Sequence, residues 1–137
     1  MVLLVAVALL TPAGLDARSS SVPVFTGCTG KTHVRPRAIV IACGDGNFFL
    51  TGLSWTRWTA HGAAANGTGH LNDCTPDCAR GHFHRYRVAV RLFRPITCAS
   101  KQRRFTRLSY RFVGRKPPGV LRSGTERFPC DFPPPPA

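Results

Sequence analysis

Two cysteines and three histidines lie close together in HLNDCTPDCARGHFHRY, residues 70–86. Thiolate sulfur and imidazole nitrogen are preferred zinc ligands, and a Cys₂His₂ set can hold the ion tetrahedrally. Only three residues separate Cys78 from His82, whereas structural zinc sites usually have about a dozen residues between the cysteine pair and the histidine pair. Zinc binding through Cys74, Cys78, His82 and His84 is therefore kept as an alternative hypothesis.

Residue patterns that would indicate an enzyme are sparse. The chain has no G-x-S-x-G nucleophile elbow, and its one Glu and five Asp form no obvious carboxylate pair. Gly44 and Gly46 belong to a turn and not to a phosphate-binding loop, because no helix follows them. A nucleophilic cysteine would need a positioned histidine and a free thiol. We expect a non-enzymatic protein without catalytic residues or cofactors.

The chain begins with an unbroken apolar run from Val2 to Leu10, followed by a Pro/Gly break and small residues near Ala17. Nine residues span only about 14 Å as a helix, too little for a hydrocarbon core of about 30 Å. The run is typical of the apolar region of a signal peptide, although no Lys or Arg precedes it. We expect residues 1–18 to be a signal peptide and the protein to be secreted.

Six cysteines in a short exported chain indicate a disulfide framework. In CTPDC, the Thr-Pro-Asp turn can bring two Cα atoms within the ~5.5 Å that a disulfide requires. Cys28 and Cys43 are the next local pair, which leaves Cys98 and Cys130 to tether the tail. The predicted bridges are Cys74–Cys78, Cys28–Cys43 and Cys98–Cys130. Crossed pairings such as Cys43–Cys74 stay open.

The net charge of +13 is concentrated in one part of the chain. No Asp or Glu lies between Asp77 and Glu126, and thirteen of the nineteen basic residues do. Such an asymmetry indicates an anionic partner for the C-terminal half.

The clearest local pattern is the alternation in HRYRVAVRLF and RRFTRLSYRFV, which predicts two strands with one apolar and one arginine face. Arginine forks suit phosphate, so this face could bind an anion. Arginine at outward positions is equally typical of an ordinary solvated sheet. His82 and His84 share the apolar-side parity of Tyr86, and the pattern does not assign them a role. The predicted anion-binding residues are Arg85, Arg87, Arg91, Arg107 and Arg111.

Strand patterns and turn signals predict an all-β fold, because no stretch has sustained helical periodicity. Five to six strands would form a small antiparallel sandwich or barrel stabilised by disulfides. We predict a loop or edge segment over residues 19–36, a single β domain over 37–113, and an irregular Pro-rich tail over 114–137.

Several motifs carry a resemblance to a protein family: ACGDGN, LSWTRW, NDCTPDCARGHFHRY and FTRLSY, all between Arg35 and Tyr110. The chain resembles small exported proteins of actinobacteria. The resemblance implies export and a bacterial origin. That family has no established activity, so the resemblance implies no catalytic or binding residues.

The leading hypothesis is an exported β protein that binds an anionic polymer or surface through its arginines. The partner classes are an anionic cell-wall polymer such as teichoic acid, extracellular nucleic acid and an anionic membrane surface; the sequence does not say whether there is a protein partner. The alternatives are a structural or inhibitor-like extracellular protein whose charge is incidental, and the metal-binding protein introduced above.

Overall fold

The computed structural model describes residues 21–131, and these form one curled antiparallel sheet, half of a barrel. Each of its six strands pairs with its neighbour in sequence. The predicted all-β fold is confirmed. The predicted signal peptide and residues 132–137 of the tail lie outside the described residues. The strands are β1 (Ile39–Val40), β2 (Phe48–Trp58), β3 (Ala63–Asn72), β4 (Phe83–Thr97), β5 (Arg103–Phe112) and β6 (Ser123–Arg127).

The turn predicted between the first two strands is present. The Asp45 carboxylate accepts a hydrogen bond from the backbone N–H of Asn47 at 3.0 Å, as Asx turns do. Gly46 has φ 69°, a left-handed conformation that glycine adopts without strain. These local interactions therefore form the turn that connects β1 to β2 in the first hairpin.

Alternation along β4 places its apolar residues in the core. Tyr86, Val88, Val90 and Leu92 are buried, and the arginines between them are exposed. On β5, Leu108 and Phe112 are also fully buried and lie opposite Leu92 and Val88. The apolar parity predicted from the sequence is confirmed on both strands.

The alternation breaks towards the ends of these two strands. Arg94 has φ 54° and is exposed, although its even-numbered position would point it towards the core. Phe105 occupies a position with the parity of the outward arginines, yet it is completely buried against Trp58 with ring centroids 5.5 Å apart. A strictly alternating strand would have exposed this phenylalanine.

Residues preceding the sheet close part of its open side. Val24 pairs with Arg104 of β5, and the Trp58 indole donates to the Pro23 carbonyl at 2.9 Å. Phe25 is buried and packs edge-on against Phe128. This segment thus contacts strands from both halves of the sheet.

The prediction that residues 114–137 are wholly irregular is wrong at Ser123–Arg127. These residues form β6 and pair with β5, with Arg107 opposite Arg127 and Ser109 opposite Thr125. Proline cannot donate a backbone hydrogen bond, but the prolines of this region lie outside the strand. Every residue of β6 therefore has an N–H group to contribute.

The structure contains the three predicted disulfides and not the crossed alternative. Cys28–Cys43 joins the 3₁₀ turn Gly27–Thr29 to the chain after β1, and Cys74–Cys78 closes a turn between β3 and β4. Cys98–Cys130 links the end of β4 to the chain after β6. No helix among the described residues is long and apolar enough to cross a membrane.

Candidate anion-binding surface

The five predicted arginines lie on the outer side of the sheet, opposite the core. We call this surface the arginine face: Arg85, Arg87, Arg91, Arg107 and Arg111. On neighbouring strands Arg111 lies opposite Ala89, and Arg91 lies opposite Ser109. These guanidinium groups are therefore diagonal neighbours, which limits the repulsion that directly opposed like charges would cause.

The arginine face has no neutralising partner within the part of the chain that the structure describes. None of its five guanidinium groups makes a hydrogen bond or an ion pair there. Of the two ion pairs among residues 21–131, Asp77–Arg80 lies in the loop between β3 and β4, and Asp73–His84 joins that loop to the start of β4. Four of the five arginines are exposed and Arg107 is half-buried. The positive charge of this face is therefore available to a ligand.

A groove of about 660 Å³ runs over the outer side of β4, β5 and β6. Small residues such as Ala89, Ser109 and Ser123 form its floor, and Arg91 and Arg111 lie along it. The small side chains between the arginines leave the guanidinium donors of Arg91 and Arg111 accessible from the same direction. An extended anionic chain could lie in this groove.

Sequence reasoning missed two further arginines beside the predicted set. Arg127 of β6 lies directly opposite Arg107, and the positive charge of the exposed Arg94 also acts on the pKa of Arg107. Burial, followed by the charges of Arg127 and Arg94, lowers the pKa of Arg107. Arg127 could not be found because its strand was predicted to be irregular.

An aromatic patch borders the arginine face next to Arg85. The rings of Phe49 and His70 are stacked with centroids 4.7 Å apart, and Phe83 lies 5.4 Å from Phe49. The Thr51 hydroxyl and His70 Nε2 are 2.8 Å apart. Burial and the charge of Arg85 lower the pKa of His70, so neutral imidazole is favoured at this end of the face.

The Cys/His stretch forms a loop that the Cys74–Cys78 disulfide closes. Because Cys74 and Cys78 form a disulfide, they offer no thiolate to zinc in this structure. No group of three or more potential metal ligands occurs among the described residues. His84 Nε2 lies 2.8 Å from a carboxylate oxygen of Asp73, and the backbone N–H of His82 donates to the other oxygen. His84 thus makes a loop-closing contact that the sequence did not reveal.

The buried Asn72 side chain stabilises the start of this loop through hydrogen bonds. Its amide donates to the carbonyl of Cys78 at 2.7 Å and to Asn47 Oδ1 at 2.9 Å, and its oxygen accepts from the N–H of Cys74. The chain returns so closely that a Cβ atom at Gly81 would lie 2.1 Å from Asn72 Oδ1. Glycine is required here because that Cβ atom would also lie 2.8 Å from the backbone nitrogen of Cys74.

A cavity of about 740 Å³ beside the Asp73–His84 pair also carries charged residues. Arg115 lies over the Tyr86 ring, 5.4 Å from its centroid. Lys116 donates to the Val120 carbonyl at 2.8 Å. Each charged side chain lining this cavity therefore has a partner within the fold, unlike those of the arginine face.

Asp73→Asn should destabilise the protein at neutral pH and much less at low pH. Hydrogen bonds from the His82 backbone, the His84 side chain and the Thr75 backbone hold the pKa of Asp73 well below its usual range. A lowered folded-state pKa contributes stability above the unfolded-state value of about 3.9, and this stability is lost as the pH falls through the folded-state value. Urea unfolding from pH 6 to pH 2 should show the difference between wild type and variant shrink below about pH 4.

The control is Asp131→Asn, which removes an exposed carboxylate that accepts no hydrogen bond within residues 21–131. Its difference from wild type should stay near zero throughout. A difference for Asp73→Asn that did not change with pH would contradict the assigned role of the carboxylate.

Comparisons of the chain with protein-family models, curated proteins and solved structures found no match. Function is therefore inferred from the chemistry of the surface itself.

Proposed function

We propose that the protein is an exported, non-enzymatic binder of an anionic polymer or surface, and that the arginine face is its contact surface. The observation that carries the proposal is the exposed array of arginines without a carboxylate partner among residues 21–131. Partners with this chemistry are an anionic cell-wall polymer, extracellular nucleic acid and an anionic membrane surface.

The shape of the array suits a repeating anion better than a single small molecule. Alternate residues of a strand are about 6.6 Å apart, so the arginines from Arg85 to Arg91 extend over about 20 Å. Arg107 and Arg111 on the adjacent strand widen this row. Multiple phosphate or sulfate groups could each be bound by a separate guanidinium fork.

The three disulfides indicate an oxidising environment. We extend this to the extracellular space, which the apolar N-terminal run and the resemblance to exported actinobacterial proteins support. Polyanions at a bacterial surface would be accessible to the protein in that compartment.

Retention on heparin and phosphocellulose tests the proposal. The variant Arg87→Ser/Arg107→Ser should elute at clearly lower salt than wild type, because two anion contacts are lost. The slope of log K against log salt should fall by about 1.4–1.8. The matched control is Lys31→Ser/Arg37→Ser, which removes the same charge from exposed sites near the 3₁₀ turn and β1. The control should elute close to wild type.

Equal shifts for both variants would show that net charge, and not the arginine face, causes retention. That result would favour the structural or inhibitor-like alternative with incidental charge.

A further inference from the structure

Three arginines converge on a small pocket at one end of the outer surface. Arg94, Arg107 and Arg127 line a space of about 270 Å³. They come from β4, β5 and β6, and Cys130 forms part of the wall. Because the Cys98–Cys130 disulfide ties that wall to the end of β4, the pocket is fixed in position. We call it the tri-arginine pocket.

Two unusual backbone features bring these charges together. Register places Arg107 directly opposite Arg127, an arrangement of like charges that normally destabilises a sheet. Arg94 has φ 54°, uncommon for a residue other than glycine. The buried Thr106 hydroxyl donates to the Arg94 carbonyl at 2.8 Å and holds this conformation. Outliers of this kind concentrate at functional sites.

No acidic group within the described residues compensates these three charges by an ion pair. Glu126 is adjacent to Arg127 in sequence, but its register partner is the buried Leu108, so its position belongs to the opposite side of the sheet. The lowered pKa of Arg107, caused by burial and the two neighbouring charges, agrees with an excess of positive charge. An anion in the pocket would relieve this repulsion.

We propose that the tri-arginine pocket binds one tetrahedral oxyanion group, a phosphate or sulfate monoester. Such a group has three free oxygens and, as phosphate, a charge near −2, which three guanidinium forks can match. A diester has fewer free oxygens and a single charge, and would bind more weakly. The inference deepens the proposed function and rests on it for the origin of the ligand, because a terminal or substituent group of a polyanion would supply the oxyanion.

The test is titration of the full-length oxidised protein with inorganic phosphate, glycerol 3-phosphate, inorganic sulfate and dimethyl phosphate at pH 7.5 and constant ionic strength. Arginine Nε–H and Thr106 amide signals are followed by NMR. Monoester phosphate, inorganic phosphate or sulfate should cause saturable shifts concentrated at Arg94, Arg107 and Arg127, and dimethyl phosphate should bind more weakly. Separate phosphate and sulfate titrations distinguish a phosphorylated from a sulfated source.

Arg127→Gln should weaken oxyanion affinity about tenfold, as expected for loss of a charged hydrogen bond. Arg37→Gln removes the same charge from an exposed site near β1, outside both the pocket and the arginine face, and should change affinity less than about twofold. Shifts that are unsaturable and equal along the whole face, or an unchanged affinity in Arg127→Gln, would overturn the inference.

Heparin retention separates this inference from the proposed function. Saturable oxyanion binding with no face-dependent retention would support the pocket and reject the polymer-binding proposal. Face-dependent retention without saturable oxyanion binding would reject the pocket alone.

Discussion

Phe105→Ala is expected to lower the free energy of unfolding by about 3–5 kcal/mol, the usual cost of removing a buried phenyl ring. Phe105 is completely buried and contacts Trp58 edge-on, and its backbone N–H pairs with the Val24 carbonyl at 3.0 Å. Truncation would leave a cavity between β5, Trp58 of β2 and the segment around Val24 that precedes the sheet. Urea or thermal denaturation measures the loss.

The same substitution at Phe83 is the control. Its side chain is 47 % exposed and contacts the ring of Phe49, so Phe83→Ala should cost about 1 kcal/mol or less. Equal losses in the two variants would contradict the burial of Phe105. A strand that alternated strictly would have exposed both phenylalanines to solvent.

Removal of the Cys98–Cys130 disulfide should also have a large effect. Its partners are 32 residues apart, and the chain-entropy model gives about 3.7 kcal/mol for a loop of that size. Cys98→Ala/Cys130→Ala should therefore unfold at markedly lower urea concentration than the oxidised wild type. Alanine avoids placing a hydroxyl at the buried Cys98 site.

Cys74→Ala/Cys78→Ala provides the comparison, because its disulfide closes a loop of only four residues. The same model gives about 2 kcal/mol for that loop. Equal stability losses in the two double variants would show that loop length does not set the contribution of these bridges. Intact mass after alkylation without reductant verifies the oxidised starting material.

Much of the arginine face could be predicted from the sequence because the β-strand period is local. Two-residue alternation assigns Arg87 and Val88 to opposite sides whatever else the chain does, and the structure confirms this assignment. Turn chemistry was equally informative: Thr-Pro-Asp brought Cys74 and Cys78 together, as expected. Whether the face binds a polyanion stays a prediction.

The tri-arginine pocket could not be predicted in the same way. Arg127 became part of the surface only because β6 added to the edge of β5, a pairing between segments separated by a long proline-containing loop. Arg94 joined it because a positive φ reversed the side that alternation had assigned. Neither event leaves a periodic pattern in the local sequence.

In the loop of the Cys/His stretch, too, the sequence predicted one feature and only the structure showed another. The sequence identified the Cys74–Cys78 bridge, but it did not reveal that Asp73 binds both His84 and the backbone of His82. That carboxylate lies at the end of β3, and the register between β3 and β4 brings the histidines back to it.

The identity of β4 and β5, the side-chain parity along most of their length and the local disulfides thus follow from the sequence alone, because they depend on near neighbours along the chain. The addition of β6, the burial of Phe105 and the meeting of Arg94, Arg107 and Arg127 depend on the packed sheet. The physical reason is that the energies of these features come from contacts between distant segments. Burial of an aromatic ring at the closing segment and pairing at a free strand edge outweigh local preference only once the sheet has formed.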